Sequence, residues 1–486
     1  MRRALLLAVA LSALCGAAGT GTLARNPDAP SSPYRMYVPV QFRQPAGLAT
    51  RGFRFYRYSP SAIFWDGVDS TTLEVGTSGV GIAGVYVDWN DGWKPLFDDR
   101  THGDRVAGDN VFTVNGLRMG GPSMARYRMW FEGHHMSLDP LVRIVHAAGY
   151  EDVISGCEYG AVTPGEVVPS TDLGSGVSAT RAALFIVDSS GEIAPGIPLI
   201  PAHPGMQLSA ATRKLYSVLP DAFDCIIVMP NAKLVDTQQL RESAPFTRMV
   251  RNDVQHIGLP VFDEGLQYGS ARRLRSVIYH NWGVGALLDR ELGQAWGVRL
   301  GLSLDLATGA PDGRQGQWSP WSDVNGQESS LLLEGGMNGY LVYNGDGTWR
   351  VEPDKWGTKP YAPLELYAMG LIPPGQVPAV HVLAGADYAN RQRITARQVR
   401  TITIEPIMAA EGGARAPAYP VAQREFNAAL VVVGDRPFTS AERTFYTLVA
   451  ESLATAEQGE HYLTPFFTAT GGRATLSVRL PVPGLN

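Results

Sequence analysis

Two apolar runs in the second half of the chain restrict the folds that this sequence can adopt. Residues 182–187 and 223–229 are short, rich in Ile, Val and Phe, and bounded by Asp and Pro. Runs of this kind are typical of strands buried on both faces, in a sheet that helices cover. Residues 208–219 between them have the apolar spacing of an amphipathic helix. Strand, helix and strand in this order predict an α/β core in this half of the chain.

The first third of the chain has a different pattern, with short strands separated by turns. Segments 80–87, 111–114, 124–131 and 141–145 are apolar or alternating over strand length, and no helical pattern lies between them. Repeated short strands predict an immunoglobulin-like antiparallel β-sandwich over residues 34–157. Residues 158–181 are rich in Gly, Ser, Thr and Pro, which predicts a linker. The chain is therefore predicted to be an α+β multidomain protein.

Four aspartates lie close together in one glycine-rich loop of the predicted sandwich. Asp98, Asp99, Asp104 and Asp109 occupy a segment that resembles the Asp-rich loops of many secreted bacterial β-sandwich modules. Such carboxylates either coordinate a hard cation through oxygen or accept backbone N–H bonds that stabilise tight turns. Turn stabilisation is the interpretation that we favour, and calcium binding by these four residues is the alternative.

Residues 287–297 have the pattern of a zinc-peptidase helix without its metal ligands. In the motif His-Glu-x-x-His, two imidazoles one helical turn apart bind zinc, and the Glu is the general base for metal-bound water. Here Arg290 and Gln294 occupy the two His positions, and Glu291 occupies the position of the base. Arginine offers a metal no lone pair, and a glutamine amide is a poor zinc ligand. Glu291 is therefore expected to lack a metal-bound water on which to act.

Apolar residues on both sides of this segment recur at helical spacing. Leu274, Ile278, Leu288 and Leu292 fit one face of a helix, with Arg290, Glu291 and Gln294 on a neighbouring face. We therefore predict a single packed helix over residues 274–296.

Three further motifs make the second half similar to a known group of proteins. They are Gln317-Trp318-Ser319, Asn344-Gly345-Asp346-Gly347-Thr348 and Leu366-Tyr367-Ala368-Met369-Gly370-Leu371-Ile372-Pro373-Pro374. From about residue 181 to the C terminus, the chain resembles large secreted bacterial proteins with a zincin-like domain, which carry related motifs in this order. The resemblance implies a zincin-like α/β domain at residues 182–486. It also implies that Gln317 replaces a third zinc ligand, the His of a His-Trp-Ser segment.

Composition and the N terminus limit the location and partners of the protein. Residues 1–24 combine Met-Arg-Arg, an apolar run and small residues, which predicts a signal peptide and export to the periplasm, the cell surface or the medium. The net charge of −5 gives no basic footprint, so nucleic acid is not an expected partner. No later apolar run approaches the roughly 20 residues of a transmembrane helix. Cys157 and Cys225 either form a disulfide or are buried thiols.

Together these features predict an exported, non-catalytic, metallopeptidase-like protein with a binding or structural role. We expect no cofactor for catalysis, and an unidentified protein or glycan as partner. One alternative is an active metallopeptidase with displaced ligands and Glu291 as general base. Another is a carbohydrate or surface adhesion protein that uses the sandwich and a groove of aromatic side chains. Those side chains either line such a groove or form the core of a small hairpin region, and they are Trp318, Trp321, Tyr340, Tyr343, Trp349 and Trp356.

Overall fold

The computed structural model describes most of the chain from residue 53 onward. The described residues are 53–60, 63–64, 68–78, 81–89, 92–118, 141–155, 161–162, 167–193, 199–200, 203–204, 206–231, 246–280, 288–296, 299–308, 317–327, 339–353, 360–387, 390–456 and 465–485. The predicted signal peptide, the predicted strand at residues 124–131, Cys157 and Trp356 lie outside them. The chain has mixed α and β structure with several sheets and more strand than helix, which confirms the general α+β class.

The N-terminal part consists of short strands in two antiparallel sheets and one parallel pair. The strands are β1 (Phe53–Ser59), β2 (Ile63–Phe64), β3 (Ser70–Thr77), β4 (Ile82–Trp89), β5 (Gly92–Leu96), β6 (Val111–Arg118), β7 (Leu141–His146), β8 (Glu151–Ser155) and β9 (Ala161–Val162). One sheet has the order β1-β3-β6 and the other the order β5-β4-β7-β8, while β2 pairs with β9. The strands predicted at residues 80–87, 111–114 and 141–145 are confirmed as β4, β6 and β7.

We call the sheets β1-β3-β6 and β5-β4-β7-β8 the N-terminal sheet pair. A single apolar core joins them. Leu73 and Val75 from the first sheet belong to the same buried cluster as Val85 and Val87 from the second. The indole N–H of Trp89 also crosses between them and donates to the carbonyl of Arg118 at 2.9 Å. Alternate residues of β4 and β7 therefore face this core, and the residues between them face outward.

The C-terminal part is built on one large sheet. Its elements are β10 (Thr171–Gly174), β11 (Val177–Ala179), β12 (Ala183–Val187), β13 (Leu199–Ile200), β14 (His203–Pro204), α1 (Leu208–Tyr216), β15 (Cys225–Pro230), β16 (Phe246–Met249), β17 (Arg251–Asn252), β18 (Phe262–Asp263), β19 (Ser276–Tyr279), α2 (Leu288–Gly293), β20 (Ala307–Thr308), β21 (Gln317–Trp318), β22 (Gly339–Tyr343), β23 (Trp349–Pro353), α3 (Pro363–Met369), β24 (Val380–Asp387), β25 (Thr395–Ile402), α4 (Ile404–Ala410), β26 (Glu425–Gly434), α5 (Ser440–Ala454), α6 (Phe466–Ala469) and β27 (Thr475–Ser477). Short 3₁₀ helices cover Gly265–Tyr268, Gln294–Trp296, Leu302–Leu304 and Pro374–Gln376.

The large sheet has the order β10-β11-β12-β26-β15-β19-β16, with β27 beside β26. Strands β12, β26, β15 and β19 run parallel to one another. Strand β11 pairs with β12 antiparallel, and β16 is an antiparallel edge strand beside β19. Consecutive residues of β15 enter opposite cores, since Ile226 belongs to the cluster with α1 and Ile227 to the cluster with α2. The predictions of strands at residues 182–187 and 223–229 and of a helix near residues 208–219 are confirmed.

Two predictions about element boundaries were wrong. Residues 274–296 do not form one helix, because Ser276–Tyr279 is strand β19, while the described helix α2 covers Leu288–Gly293. The four residues of β19 are all buried between two neighbouring strands, and Val, Ile and Tyr favour that environment. The predicted linker at residues 158–181 contains β10 and β11, which pair with each other and extend the sheet beyond β12.

Cys225 is a free, buried thiol at the start of β15. Burial raises the pKa of this thiol to about 12. A thiol with so high a pKa is almost entirely protonated at neutral pH, so it acts as a small apolar residue of the core. Among the described residues it has no disulfide partner.

The motif at residues 366–374 forms α3 and the tight turn that ends it. Gly370 caps the helix in the left-handed conformation, with φ of 82°. The buried guanidinium of Arg415 lies at this helix end and donates to the carbonyls of Ala368 at 2.9 Å and Met369 at 3.0 Å. A cation at a helix C terminus satisfies carbonyls that have no partner within the helix. Burial lowers the pKa of Arg415 to about 10, which still leaves it charged at neutral pH.

We predict that Gly370→Ala destabilises the protein much more than Gly345→Ala. A Cβ atom at Gly370 would lie 2.5 Å from Ala422 Cβ and from Arg415 Cζ, whereas one at Gly345 would meet nothing within 4 Å. Both glycines have positive φ, so both substitutions carry backbone strain of about 1 kcal/mol. The steric conflict should bring the cost at Gly370 to about 3 kcal/mol or more. Urea unfolding measures both values, and equal losses of stability would contradict this account of the turn.

Candidate functional site

Helix α2 carries the positions at which the sequence analysis predicts a zinc site without its ligands. Leu288 and Leu292 of this helix are buried in the larger core cluster of the sheet. Trp296, in the 3₁₀ turn that follows, packs edge-on against Phe426 of the central strand β26, with ring centroids 5.2 Å apart. The apolar face of α2 is thus fixed against the sheet. This packing also fixes the positions of Arg290, Glu291 and Gln294, the polar residues of the same segment.

Glu291 is buried and bonded to the edge strand β16. Its side chain is 5% exposed. The hydroxyl of Thr247 lies 2.9 Å from Glu291 Oε2 and 2.7 Å from the carbonyl oxygen of the same residue. A threonine hydroxyl has a single proton and so donates to one of these oxygens at a time. The carboxylate therefore lies in contact with the edge strand, and the two contacts of Glu291 with the Thr247 hydroxyl join α2 to β16.

The environment of Glu291 favours its neutral form. Burial raises the pKa of the carboxyl group, and the charge of Arg290 and the bond from Thr247 oppose this rise only in part. Arg290 itself is half-buried, and Gln294 is buried with 5% exposure. Residues three apart on a helix are neighbours, so the Gln294 amide lies next to Glu291 in the position that a metal ligand would occupy. The helix presents a carboxyl group, a guanidinium and an amide.

Gln317, the third position, lies on the short strand β21. It pairs with Thr308 of β20 and is half-buried. The next residue, Trp318, is buried in the same core cluster as Leu288 and Leu292 of α2. The structure therefore anchors the Gln-Trp-Ser segment in the core on which α2 also packs.

A buried glutamate that the sequence analysis missed organises this region. Glu365 accepts hydrogen bonds from the indole of Trp318 at 2.8 Å, from the backbone N–H of Gln327 at 3.0 Å and from that of Ala362 at 2.6 Å. A Cβ atom at Gly326 would lie 2.2 Å from this carboxylate, so only glycine fits there. The signal in the sequence is Pro363 at the first position of α3 with Glu two residues later, which is typical of a helix start.

The aspartate loop of the N-terminal sheet pair brings three of the four predicted residues together. Oxygen atoms of Asp98, Asp104 and Asp109 lie within 4.8 Å of one another, and this is the one such group of three or more potential ligand residues in the described part of the chain. Asp98 accepts backbone N–H bonds from residues 108, 109 and 110, and Asp104 accepts them from residues 100 and 106. Asp99, which lies outside this group of three, accepts a bond from the backbone N–H of Thr101. These bonds are those that turn stabilisation requires.

The aromatic residues after α2 belong mainly to cores. Trp318 is 1% exposed and Trp349 is 3% exposed, so neither presents a face to solvent. Tyr343, by contrast, is 50% exposed and lies beside Trp349, with ring centroids 5.1 Å apart. This arrangement favours the hairpin-core interpretation of the aromatic residues over a groove.

Comparisons of the chain with protein-family models, with curated proteins and with solved structures found no match.

We predict that Glu291→Gln changes the pH dependence of stability in a defined direction. The raised folded-state pKa means that Glu291 contributes stability that is fully present below its unfolded pKa, near 4.5, and is lost as pH rises through the folded-state pKa. The Gln variant has no ionisation at this position. As pH increases from about 4 to about 8, the wild-type Tm should therefore fall relative to that of the variant.

The matched control for this experiment is Glu405→Gln, because a side-chain hydrogen bond from Thr403 lowers the pKa of the exposed Glu405. A lowered pKa gives stability that is present above the unfolded pKa and is lost as pH falls, so the control should show the opposite slope. Parallel Tm curves for wild type and Glu291→Gln would show that burial does not perturb Glu291.

Proposed function

We propose that this protein is an exported, non-catalytic relative of zinc metallopeptidases whose C-terminal half is a metal-free scaffold and whose role is binding. The observation that carries the proposal is the bond between Glu291 and Thr247. A general base must face a substrate or a metal-bound water, but this carboxylate faces its own edge strand. Arg290 and Gln294 occupy the ligand positions on the same helix and supply no zinc ligand.

The chemistry of the replacement residues also supports a structural role. Loss of a metal leaves buried carboxylate oxygens that need other donors, and burial without such donors is costly. Thr247 and the neighbouring positive charge of Arg290 supply part of that stabilisation. In this proposal the fold of residues 182–486 is zincin-like, the N-terminal sheet pair is an immunoglobulin-like sandwich, and residues 1–24 direct export.

Contacts between the N-terminal sheet pair and helix α5 support a single binding unit. Glu442 is fully buried near the start of α5 and binds Arg436 at 2.7 Å and Asn231 at 3.1 Å. Arg436 also donates to Ser59 Oγ of β1 at 3.2 Å. The ion pair with Glu442 fixes Arg436 at the start of α5, and the bond from Arg436 to Ser59 then joins this segment to the end of β1.

The competing function is an active peptidase, and the raised pKa of Glu291 is the observation that favours it. A hydrolysis assay separates the two. The full chain is incubated with added zinc and fluorescein-labelled casein, in parallel with Glu291→Gln and the control Glu405→Gln. We expect the same background signal from all three proteins. A wild-type activity that falls about a hundredfold or more in Glu291→Gln alone would establish a peptidase.

Calcium binding by the aspartate loop is a second proposed property, supported by the three carboxylates within 4.8 Å of one another. Thermal unfolding in chelator, followed by addition of calcium or magnesium, tests it. A Tm that falls in chelator and returns only with calcium indicates a calcium site. An unchanged Tm indicates that the aspartates act through their backbone N–H bonds alone.

A further inference from the structure

One outer face of the N-terminal sheet pair carries a cluster of side chains that the scaffold does not require. In the sheet β5-β4-β7-β8, Tyr86 and Arg143 are direct cross-strand partners on β4 and β7. Their neighbours Val85, Val87 and Ile144 face the core, so Tyr86 and Arg143 face outward. Trp93 of β5 lies on the same outer face, on the other side of β4.

Arg143 lies between the two aromatic rings. Its guanidinium carbon is 4.8 Å from the centroid of the Tyr86 ring and 4.8 Å from that of the Trp93 ring. Stacking of this kind orients the planar guanidinium and restricts its rotation. The three side chains stay accessible, since Trp93 is 38% exposed and the Arg143 side chain 29%. Trp, Tyr and Arg are also the residue types that most often dominate binding energy at interfaces.

Arg143 forms one long ion pair within the described residues. Its Nη1 lies 3.9 Å from Glu151 Oε2, which is beyond hydrogen-bond distance. Its Nε–H is buried and has no hydrogen-bond partner in the described part of the chain. Buried donors without an acceptor are rare in folded proteins. The buried Nε–H cannot reach a ligand, but the accessible part of this oriented guanidinium is suited to a planar anion, and a carboxylate fits two parallel N–H groups best.

The shape of this face narrows the ligand further. A Cβ atom at Gly84 would lie 3.0 Å from Tyr86 Cε2, so the tyrosine ring lies along the strand over the glycine. The accessible surface beside Arg143 is therefore partly aromatic. A sugar ring places its apolar C–H face on such a surface, whereas a peptide ligand usually inserts side chains into pockets.

We propose that Tyr86, Trp93 and Arg143 form a binding surface for a polysaccharide that carries carboxylate groups, such as a chain of uronic acids. Arg143 binds the carboxylate of one sugar through its paired N–H groups, and Trp93 packs against the ring of the sugar. The inference rests on the binding role proposed above and names its surface and ligand class. It does not depend on the state of Glu291, which lies in the other half of the chain.

The test is isothermal titration calorimetry of the full chain with tetragalacturonic acid and with its methyl ester. The acid should bind, and the ester should bind about tenfold or more weakly because its carboxyl groups are uncharged. Arg143→Lys keeps the charge but loses the planar fork, and Trp93→Ala loses the stacking surface. Each variant should weaken binding of the acid about tenfold or more while unfolding at the wild-type temperature. Arg397→Ala removes an exposed arginine elsewhere and should leave binding unchanged.

Three results would overturn the inference. The first is that tetragalacturonic acid does not bind. The second is that Arg143→Lys and Trp93→Ala bind it as tightly as wild type does. The third is that a tetraglutamate peptide binds with the same affinity as the acid, which would indicate an acidic protein partner. The casein assay reports on Glu291 independently, so a failure of polysaccharide binding and a failure of the non-catalytic proposal are distinguishable.

Discussion

Buried carboxylates need hydrogen-bond donors, and this requirement organises the C-terminal half of the protein. Glu291, Glu365 and Glu442 are 5%, 6% and 0% exposed, and each binds donors from a different segment of the chain. Glu291 joins α2 to the edge strand through Thr247, and Glu365 joins α3 to the strand that contains Trp318. Glu442 joins the start of α5 to the end of β15. Each carboxyl group is tolerated inside the fold because the contacts that satisfy it also connect elements that are distant in sequence.

Under the proposed function, the same requirement explains how a helix with a zinc-peptidase pattern can hold its place in the fold without zinc. The apolar face of α2 packs on the core whatever the polar face carries, since Leu288, Leu292 and Trp296 supply that packing. The side chains on the polar face then need hydrogen-bond or charge partners nearby. A carboxyl group with a raised pKa, a threonine hydroxyl and a nearby guanidinium meet that need with side chains alone. In the proposed function, α2 keeps its place in the fold without a metal, and binding belongs to other surfaces, such as the outer face of the N-terminal sheet pair.

Local sequence patterns predicted correctly those strands whose formation depends on the composition of one short segment. The runs at residues 182–187 and 223–229 became β12 and β15 because strands buried on both faces must be apolar throughout. The same reasoning failed at Ser276–Tyr279, where a four-residue buried strand is too short to show a period and happened to continue the helical spacing of Leu288. Thr247 and Glu291 are 44 residues apart, and Arg143 meets Tyr86 only through strand register. Such contacts depend on topology, which no local pattern contains.

The most direct test of the central claim is the zinc content of the protein, measured by elemental mass spectrometry after purification without chelators or metal-affinity resin. A scaffold in which Arg290 and Gln294 have replaced the ligands and Glu291 is bonded to Thr247 should contain no zinc above the buffer blank. A stoichiometry near one zinc per chain would contradict the account. It would mean that other residues supply ligands near Glu291 and that this carboxylate still serves a metal.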